Sequence, residues 1–281
     1  ITTPTKVATA IIENVSLNDT GSIAFTNVDL TDRPTGSEAT KSVTALRADG
    51  STSLTLTAAQ RQNIEDAFTI TPGSGNANNG VINWDYSIAE TVLNFLAKNE
   101  IVTAVFTITV DDENGATASE DITIAITGTN DGPVIDANKV SGTILEGATL
   151  TDSGSIAFSD LDLTDTPLGT EVTKSVVARL ADGETPLSLS SAQQTAIENA
   201  FTIAPVAGNA NNGVINWDFS ITEQELDFLA YQEVVDLVFT LTINDGNGGS
   251  DTQDVTLSVT GANDTPIFGD PCEPDLQHPM G

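Results

Sequence analysis

The sequence predicts an all-β protein made of two tandem β-sandwich domains with short helical insertions, and three observations support this prediction. A long block of the chain occurs twice at a constant spacing. Within each copy, short runs rich in β-branched and aromatic residues alternate with polar residues, which is the pattern of half-buried strands. Turn-forming Asp, Asn and Gly residues separate these runs, as in sandwiches of about seven short strands.

The repeat is defined by landmarks that keep a single register. These are GSIAF at 21–25 and 154–158, VINWD at 81–85 and 214–218, and GxND at 128–131 and 261–264. Each pair is offset by 133 residues, far more than the ~20–50 residues of a solenoid unit. We therefore predict one domain per copy: copy one at 1–132 and copy two at 133–266. The tail at 267–281 matches neither copy and is interpreted as linker or vector-derived sequence.

The individual elements follow from local patterns. Alternation predicts strands at 22–25, 41–46, 81–88, 101–110 and 121–127, with counterparts in copy two that include 234–243 and 255–259. Thr57 followed by Gln60 predicts a capped helix that carries Ile64 and Phe68 four residues apart, and its counterpart spans 190–201. A second short helical turn is predicted at 90–96 and again at 223–229. Each copy has one tryptophan in a strand pattern, which we interpret as a core residue.

Composition excludes several classes of function. The chain has 40 acidic and 9 basic residues, so its formal net charge is −31. Nucleic acids and anionic membranes would repel such a chain, whereas divalent cations would be attracted. No apolar run approaches the ~18 residues of a membrane span, so we expect no membrane insertion. The chain begins at Ile1 without Met or a signal peptide and is interpreted as a piece of a longer protein.

Cysteine and histidine are confined to the tail. Cys272 and His278 are the single residues of their types, and both lie outside the repeats. The domains therefore contain neither a disulfide nor a Cys/His zinc site. We find no GxSxG, HExxH or phosphate-binding loop, and the carboxylates are duplicated, which suits a structural site better than an active site. Paired carboxylates as in glycosidases are the remaining catalytic alternative, and we predict that the chain is not an enzyme.

A series of motifs occurs in the same order in both copies. An aromatic strand begins at Gly80, a Leu-rich turn spans 93–100, an Asp/Asn/Gly loop spans 112–115, and Gly128-Thr-Asn-Asp-Gly-Pro133 ends the copy. In copy two, the corresponding endings are 244–249 and 261–266. This combination resembles the VCBS repeat of bacterial RTX-type surface adhesins. The resemblance implies an immunoglobulin-like, cadherin-like sandwich, used in series as a stalk on the bacterial cell surface, with calcium bound in many related repeats.

The acidic loops are predicted to form a calcium site where the copies meet. Calcium takes six to eight oxygen ligands, which Asp, Glu and Asn side chains supply. If the first strand of each copy runs away from the linker, the following strand brings the 160–165 loop back to it, as an extended segment with alternate carboxylates on one side. The Asn244-Asp245 loop arrives at the same end. The predicted ligands are Glu13, Asn130, Asp131, Asp160, Asp162, Asp165 and Asp245.

The same reasoning predicts two half-sites at the outer ends of the repeats. The N-terminal half-site consists of Asn27, Asp29, Asp32, Asp111 and Asp112, and the C-terminal half-site consists of Glu146, Asn263 and Asp264. The alternative is that these residues only form turns, which Asp, Asn and Gly do well. For Asp49 and Asp182, each followed by Gly, we favour the turn interpretation.

Two non-catalytic functions remain. The first is a calcium-stiffened stalk that extends a secreted adhesin in cell attachment or biofilm formation, with neighbouring repeats of the same chain as partners. The second is a glycan- or protein-binding module that uses the inserts at 57–79 and 190–212, whose Gly/Asn-rich loops are suited to ligand contact. We expect the chain to be a monomer and any glycan or cell-surface ligand of the stalk to be bound by other domains.

Overall fold

The computed structural model describes residues 8–265, and copy one contains two sheets that face each other. Its strands are β1 Ala8–Ile12, β2 Asn18–Thr26, β3 Thr35–Leu46, β4 Phe68–Pro72, β5 Asn79–Ser87, β6 Ile101–Asp111 and β7 Thr117–Thr127. Its helices are α1 Ala58–Asp66 and α2 Glu90–Leu93. One sheet has the order β1-β7-β6-β3 and the other β2-β5-β4. Pairing is antiparallel except between β1 and β7, which run parallel.

Copy two repeats this arrangement and, within the described residues, adds one strand, β8, which pairs with β10. Its strands are β8 Val134–Ala137, β9 Ser141–Leu145, β10 Thr151–Ser159, β11 Leu168–Arg179, β12 Phe201–Pro205, β13 Gly213–Ser220, β14 Val234–Asn244 and β15 Ser250–Thr260, with helices α3 Ser191–Asn199 and α4 Glu223–Leu226. The sheets have the orders β12-β13-β10-β8 and β11-β14-β15-β9. The predicted fold class, an all-β sandwich, is confirmed. The predicted tail at 267–281 lies outside the described residues.

Each copy has an apolar core between its sheets, formed by the inward residues of alternating strands. Trp84 and Trp217 are almost completely buried, which confirms that they are core residues. In copy one the ring of Phe68 stacks on Phe106 with the ring centroids 4.2 Å apart. The equivalent rings in copy two, Phe201 and Phe239, are 4.1 Å apart. Stacked aromatic pairs of this kind contribute more than their buried area alone.

The first helix of each copy is shorter than predicted. In copy one, α1 begins after Thr57 and has a capping box in which Gln60 and Thr57 exchange hydrogen bonds. The prediction that Phe68 lies on this helix is wrong, as is the same prediction for Phe201. The helix ends at Ala67, and Phe68 enters β4, where it pairs with Tyr86. The spacing of Ile64 and Phe68 suited a helix, but the sheet provides the ladder hydrogen bonds that decide the conformation.

Removal of the helix cap should have a small, measurable cost. We expect Thr57→Ala to lower the free energy of unfolding by about 1 kcal/mol, because the backbone N–H of Gln60 loses its acceptor. The same loss is expected for Ser190→Ala in copy two, where Gln193 donates to Ser190. Urea denaturation measures both changes. Gln60→Glu preserves the box and is the control; an equal loss in that variant would contradict the capping explanation.

The edge strands β3 and β11 carry the same irregularity. The register of β3 against β6 shifts between Thr40 and Ser42, and that of β11 against β14 shifts between Thr173 and Ser175. The bulged residues are Lys41 and Lys174, which form ion pairs with Asp121 and Asp254. A lysine at a bulge on an edge strand hinders pairing with another chain. Within residues 8–265, no helix has the length and apolar character needed to cross a membrane.

Candidate metal centre at the junction of the two copies

The linker at 128–133 connects acidic side chains of both copies. The backbone N–H of Thr129 donates to Glu13 Oε2 at 2.8 Å, on the side of copy one. The backbone N–H of Asp131 donates to Asp162 Oδ2 at 2.9 Å, on the side of copy two. Asn130 Nδ2 donates to Asp245 Oδ2, also at 2.9 Å. The structure therefore brings the predicted junction residues together at one end of each sandwich.

Three carboxylates of copy two form a compact group. Asp160, Asp165 and Asp245 are buried, and each offers a carboxylate oxygen within 4.8 Å of the other two. Asp162 is completely buried beside them. These residues converge because β10 ends at Ser159 and β14 ends at Asn244, at the same edge of the sandwich.

The loop at 160–165 is a turn, so the prediction of an extended segment with alternating carboxylates is wrong. The backbone N–H of Asp165 donates to the carbonyl of Asp162 at 3.1 Å. The backbone N–H of Asp162 donates to Asp160 Oδ1 at 3.0 Å. These short-range bonds fold the loop back on itself, and the carboxylates of Asp160 and Asp165 both reach the group that contains Asp245.

The loop after β14 positions Asp245. Its Oδ1 accepts the backbone N–H of Asn247 at 2.6 Å and that of Gly248 at 3.0 Å. Gly249 allows the linker to approach, since a Cβ there would lie 2.6 Å from the Cα of Gly132. Asn244 was predicted to arrive at the site, but it is exposed and its Oδ1 accepts the N–H of Gly246 instead.

Two residues of α2 complete the copy-one side and were missed by the sequence analysis. Glu13 is completely buried after β1. Glu90 opens α2 and acts electrostatically on Glu13 and Asp131, and its Oε1 is buried without a described partner. Asn94 is the C-terminal cap of α2, has a buried Oδ1 without a described partner, and precedes Phe95, whose carbonyl faces Leu163 across the junction. The sequence contains a pattern that could have revealed them. Each copy has an acidic residue at 90 or 223 and, four residues later, an amide or acidic residue. Residues four apart on a helix lie on the same face.

The junction contains buried oxygens that have no hydrogen-bond partner among the described residues. They are Glu13 Oε1, Glu90 Oε1, Asn94 Oδ1, Asn130 Oδ1, Asp131 Oδ2, Asp160 Oδ2 and Asp162 Oδ1. Buried polar atoms are nearly always hydrogen-bonded, so seven such atoms in one place require an explanation. All are carboxylate or amide oxygens, which are the ligands of a hard cation. The donor set therefore fits calcium.

Burial changes the protonation of these groups in the metal-free chain. It raises the pKa of Glu13 to about 7, an effect that nearby Asp131 and Glu90 increase and the hydrogen bond from Thr129 opposes. Burial and neighbouring carboxylates also raise the pKa of Asp162 to about 8 and that of Asp160 to about 6. The pKa values of Asp131 and Asp165 are raised for the same reason. Like charges at short distance oppose ionisation unless a cation neutralises them.

Asp245 is the exception within the group. Burial acts to raise its pKa, but hydrogen bonds from Asn130 and from the backbone N–H groups of Asn247 and Gly249 outweigh this effect and lower the pKa. Hydrogen bonds to the charged form favour ionisation. Asp245 is therefore ionised more readily than the carboxyl groups around it.

The raised pKa values predict how stability depends on pH. Without metal, Glu13, Asp160 and Asp162 bind protons more tightly in the folded chain than in the unfolded one, where carboxyl pKa values are about 4. The free energy of unfolding should therefore fall as the pH rises from about 5 to about 8. Calcium should remove this fall, because the metal stabilises the ionised carboxylates.

Thermal melts in calcium-depleted buffer at pH 5, 6.5 and 8 measure this dependence. We expect the highest melting temperature at pH 5 and the lowest at pH 8. A constant melting temperature over this range, or one that rises with pH, would show that the junction carboxylates are not coupled in the way the structure implies.

The N-terminal half-site has a different environment. Its side chains, from Asn27, Asp29, Asp32, Asp111 and Asp112, are exposed or half-buried and mostly bonded to nearby groups. Asp112 Oδ1 accepts the N–H groups of Asn114 and Ala116, which lower its pKa. Asn27 Nδ2 donates to Asp32, and Asp111 closes a turn through the N–H of Glu113. Among the described residues, these five do not form a compact carboxylate group.

The C-terminal half-site contains a residue that the sequence analysis did not include. Glu146, Asp227 and Asp264 offer oxygens within 4.8 Å of one another. Glu146 is buried, and its Oε2 accepts the N–H of Ala262 at 2.6 Å while its Oε1 has no described partner. Burial raises its pKa, and the charges of Asp264, Glu223 and Asp227 add to this effect. Asn263 is exposed, and its Nδ2 donates to the carbonyl of Asp264.

Further contacts cross the junction beside the acidic group. Thr164 Oγ1 donates to Glu100 Oε1 at 2.8 Å, and Glu100 is itself buried. Lys98 Nζ donates to the carbonyl of Asn247 at 2.7 Å. The backbone N–H of Leu163 lies 3.4 Å from the carbonyl oxygen of Phe95. The copies are therefore joined at several points around the linker.

Other polar loops serve the fold locally. Asp49 Oδ1 accepts the N–H groups of Ser51 and Thr52, and Asp182 makes the same bonds with Glu184 and Thr185, so both form turns as predicted. In the insert loop, Asn76 bonds both the N–H and the carbonyl of Val81. Asn209 bonds Val214 in the same way. These amides hold the insert loops closed.

No protein-family model and no curated protein sequence matches the chain. Solved structures do resemble it. The EC3–6 cis-dimer structure of protocadherin gammaB7 is 11% identical, with a TM-score of 0.41, over 94% of this chain and 48% of that chain. Human CDH23 EC21–23 is 13% identical, with a TM-score of 0.35, over 91% and 72%. The sialic acid binding region of a Streptococcus sanguinis SK1 adhesin is 11% identical, with a TM-score of 0.29, over 93% and 78%. Sequence identities and TM-scores this low support no conclusion about what this chain binds.

Proposed function

We propose that this chain consists of two tandem domains, 1–132 and 133–266, that act as calcium-stiffened extender repeats of a secreted bacterial surface adhesin. The observation that carries the proposal is the set of seven buried, unpartnered oxygens contributed by both copies and the linker. The order of motifs that resembles the VCBS repeat of RTX-type adhesins supports the assignment to a bacterial stalk. In this role the repeats project a distal binding domain in cell attachment or biofilm formation.

The ligand chemistry favours calcium over other divalent ions. Every candidate ligand is an oxygen, whereas zinc in proteins is usually held by Cys and His. The repeats contain neither residue, since Cys272 and His278 lie in the tail. Magnesium demands near-octahedral geometry and retains several waters, so it suits a crowded set of buried carboxylates poorly. Calcium accepts six to eight oxygens in flexible geometry, including Asn side chains and backbone carbonyls.

The junction can hold at least two calcium ions. Asp131 interacts electrostatically with Glu13 and Glu90 on one side and with Asp160 and Asp162 on the other. A carboxylate between two acidic groups can bridge two cations, one in each group. The linker would then be fixed to both copies at once through a single residue.

Calcium stiffens the junction because its ligands belong to different bodies. Without a cation, the ionised carboxylates of the two copies repel one another across the linker, and the orientation of the copies is loosely determined. A bound cation converts this repulsion into attraction toward a common centre. The hydrogen bonds of Thr164 with Glu100 and of Lys98 with Asn247 then fix the relative rotation of the copies.

Calorimetric titration with calcium tests the proposal. We expect at least two ions to bind per chain, with dissociation constants in the range of about 0.1–1 mM that is typical of extracellular modules. Magnesium at the same concentration should bind more weakly. Absence of calcium binding would refute the proposal, whereas one ion per chain would preserve the site and refute the bridging role of Asp131.

The alternative, a glycan- or protein-binding module, is not favoured by a specific observation. The insert loops were its best candidates, and the amides of Asn76 and Asn209 are engaged within those loops. We therefore propose that any glycan or cell-surface ligand is bound by another part of the parent protein.

A further inference from the structure

The outer ends of the described chain are two halves of the junction that already exists between the copies. We call residues 27–32 and Asp112 the acceptor face, because they are the copy-one counterparts of 160–165 and Asp245. We call Glu146, Glu223, Asp227, Phe228 and Asp264 the donor face, because they are the copy-two counterparts of Glu13, Glu90, Asn94, Phe95 and Asp131. Each counterpart is 133 residues away.

Exposed apolar side chains mark the acceptor face. Val28 is 91% exposed and Leu30 is 79% exposed. Their counterparts at the junction, Leu161 and Leu163, are 55% and 50% exposed, because copy one covers part of them. The acceptor face therefore exposes apolar surface that a neighbouring repeat covers at the junction.

The donor face shows the corresponding difference. Phe95 and Glu100 are buried at the junction, whereas their counterparts Phe228 and Glu233 are only half-buried. Glu146 is nevertheless buried, with an unpartnered Oε1 beside Asp227 and Asp264. A buried carboxylate oxygen without a partner indicates a site for a cation at this face.

The two outer faces together contain the same numbers of carboxylates and amides as the junction. At the junction, Asp160 belongs to copy two and Asn94 to copy one. In the outer faces these two types are exchanged. The acceptor face has the amide, since Asn27 is the counterpart of Asp160, and the donor face has the carboxylate, since Asp227 is the counterpart of Asn94. The exchange restores the same donor set of seven carboxylates and two amides when the faces meet. The junction set is Glu13, Glu90, Asp131, Asp160, Asp162, Asp165, Asp245, Asn94 and Asn130, and the outer set is Glu146, Glu223, Asp227, Asp264, Asp29, Asp32, Asp112, Asn27 and Asn263.

We propose that the donor face of one molecule docks onto the acceptor face of a second copy of this chain, with calcium bound between them. The inference rests on the proposed calcium site and extends it from a contact within the chain to one between chains. The contact is heterologous, since two different faces meet, so it leaves one free face at each end and propagates into linear oligomers. In this contact between chains, the backbone of Leu30 would lie against that of Phe228, as the backbone of Leu163 lies against that of Phe95 at the junction.

Docking between chains should be weaker than the contact within the chain. A short linker gives its ends an effective concentration in the millimolar range, and separate molecules lack this advantage. The expectation of a monomer therefore applies to the calcium-free chain and to low protein concentration. In calcium, the average mass should rise with concentration.

Sedimentation velocity of single and mixed variants tests the proposal. Glu146→Gln with Asp264→Asn disables the donor face, and Asp29→Asn with Asp112→Asn disables the acceptor face. In about 5 mM calcium, we expect the unaltered chain to form dimers and longer species as its concentration increases to about 1 mM. Each variant alone should stay monomeric. An equimolar mixture should form heterodimers and nothing longer, because only one intact donor face and one intact acceptor face remain to pair.

The outcomes distinguish this proposal from the calcium site on which it rests. Self-association of either variant alone would overturn it, because it would indicate contact between like faces. A wild-type chain that stays monomeric up to about 1 mM but still binds calcium at the junction would overturn the docking and leave the proposed function intact. Both variants should retain the calcium-dependent change in shape of the monomer, which shows that they are folded.

Discussion

Asp162→Asn is expected to abolish the stiffening of the chain by calcium while making the calcium-free chain more stable. Asp162 is completely buried, accepts the N–H of Asp131, and is surrounded by Asp160 and Asp165. The asparagine keeps the shape and can accept the same hydrogen bond. It removes a carboxyl group whose ionised form burial and neighbouring carboxylates destabilise in the folded chain, so the metal-free melting temperature should rise.

Calcium affinity should change in the opposite direction. Replacing residues that only support metal ligands already weakens metal binding by about 10- to 100-fold, and we expect a loss of about 100-fold when a ligand carboxylate becomes an amide. Calcium titration followed by melting temperature measures both effects on one sample. Asp29→Asn, the exposed counterpart 133 residues earlier, is the matched control and should leave the intrachain response unchanged. Equal effects of the two substitutions would contradict the assignment of Asp162 to the junction site.

Phe239→Ala is expected to destabilise copy two by about 3–5 kcal/mol and to leave the core of copy one unaffected. Phe239 is completely buried and stacks on Phe201, so the truncation removes both apolar burial and the ring contact. Phe106→Ala should cause the matching loss in copy one, where the same stack involves Phe68. The separation of effects follows from the separate apolar clusters of the two copies.

Differential scanning calorimetry measures this separation. In calcium-depleted buffer, each variant should show one transition that moves to lower temperature and a second that stays in place. Calcium should bring the two transitions closer, because ligands from both copies couple their unfolding. A single transition that moves equally in both variants would contradict independent cores.

The sequence could predict the architecture because the repeat restricts it strongly. Three landmarks in one register divide the chain, and strand alternation predicts β5, β6, β7 and their counterparts. The direction of successive strands then places Glu13, Asp131 and Asp162 at one end of the sandwiches, and the structure has them there. These inferences depend only on period-two alternation and on chain reversal at each turn.

The remaining parts of the site depended on contacts that local patterns do not encode. Glu90 and Asn94 reach the junction because α2 crosses the end of the sandwich, which strand alternation does not indicate. The loop at 160–165 appeared extended because its acids alternate, but side-chain and backbone hydrogen bonds fold it into a turn. Phe68 had helical spacing from Ile64, yet the ladder with Tyr86 places it in a strand. For Phe68 a tertiary contact overrode the local preference, whereas the turn at 160–165 is formed by short-range hydrogen bonds that the alternation of its acids does not indicate.

Small-angle X-ray scattering of the dilute, chromatographically isolated monomer, with and without calcium, tests the central claim most directly. In about 5 mM calcium, the account predicts a longer particle with a narrow distribution of intramolecular distances. In calcium-depleted buffer it predicts a broader distribution, as the two copies sample many orientations about the linker. Identical scattering in both buffers would contradict the account, because the acidic residues at the junction would then not determine how the copies are held.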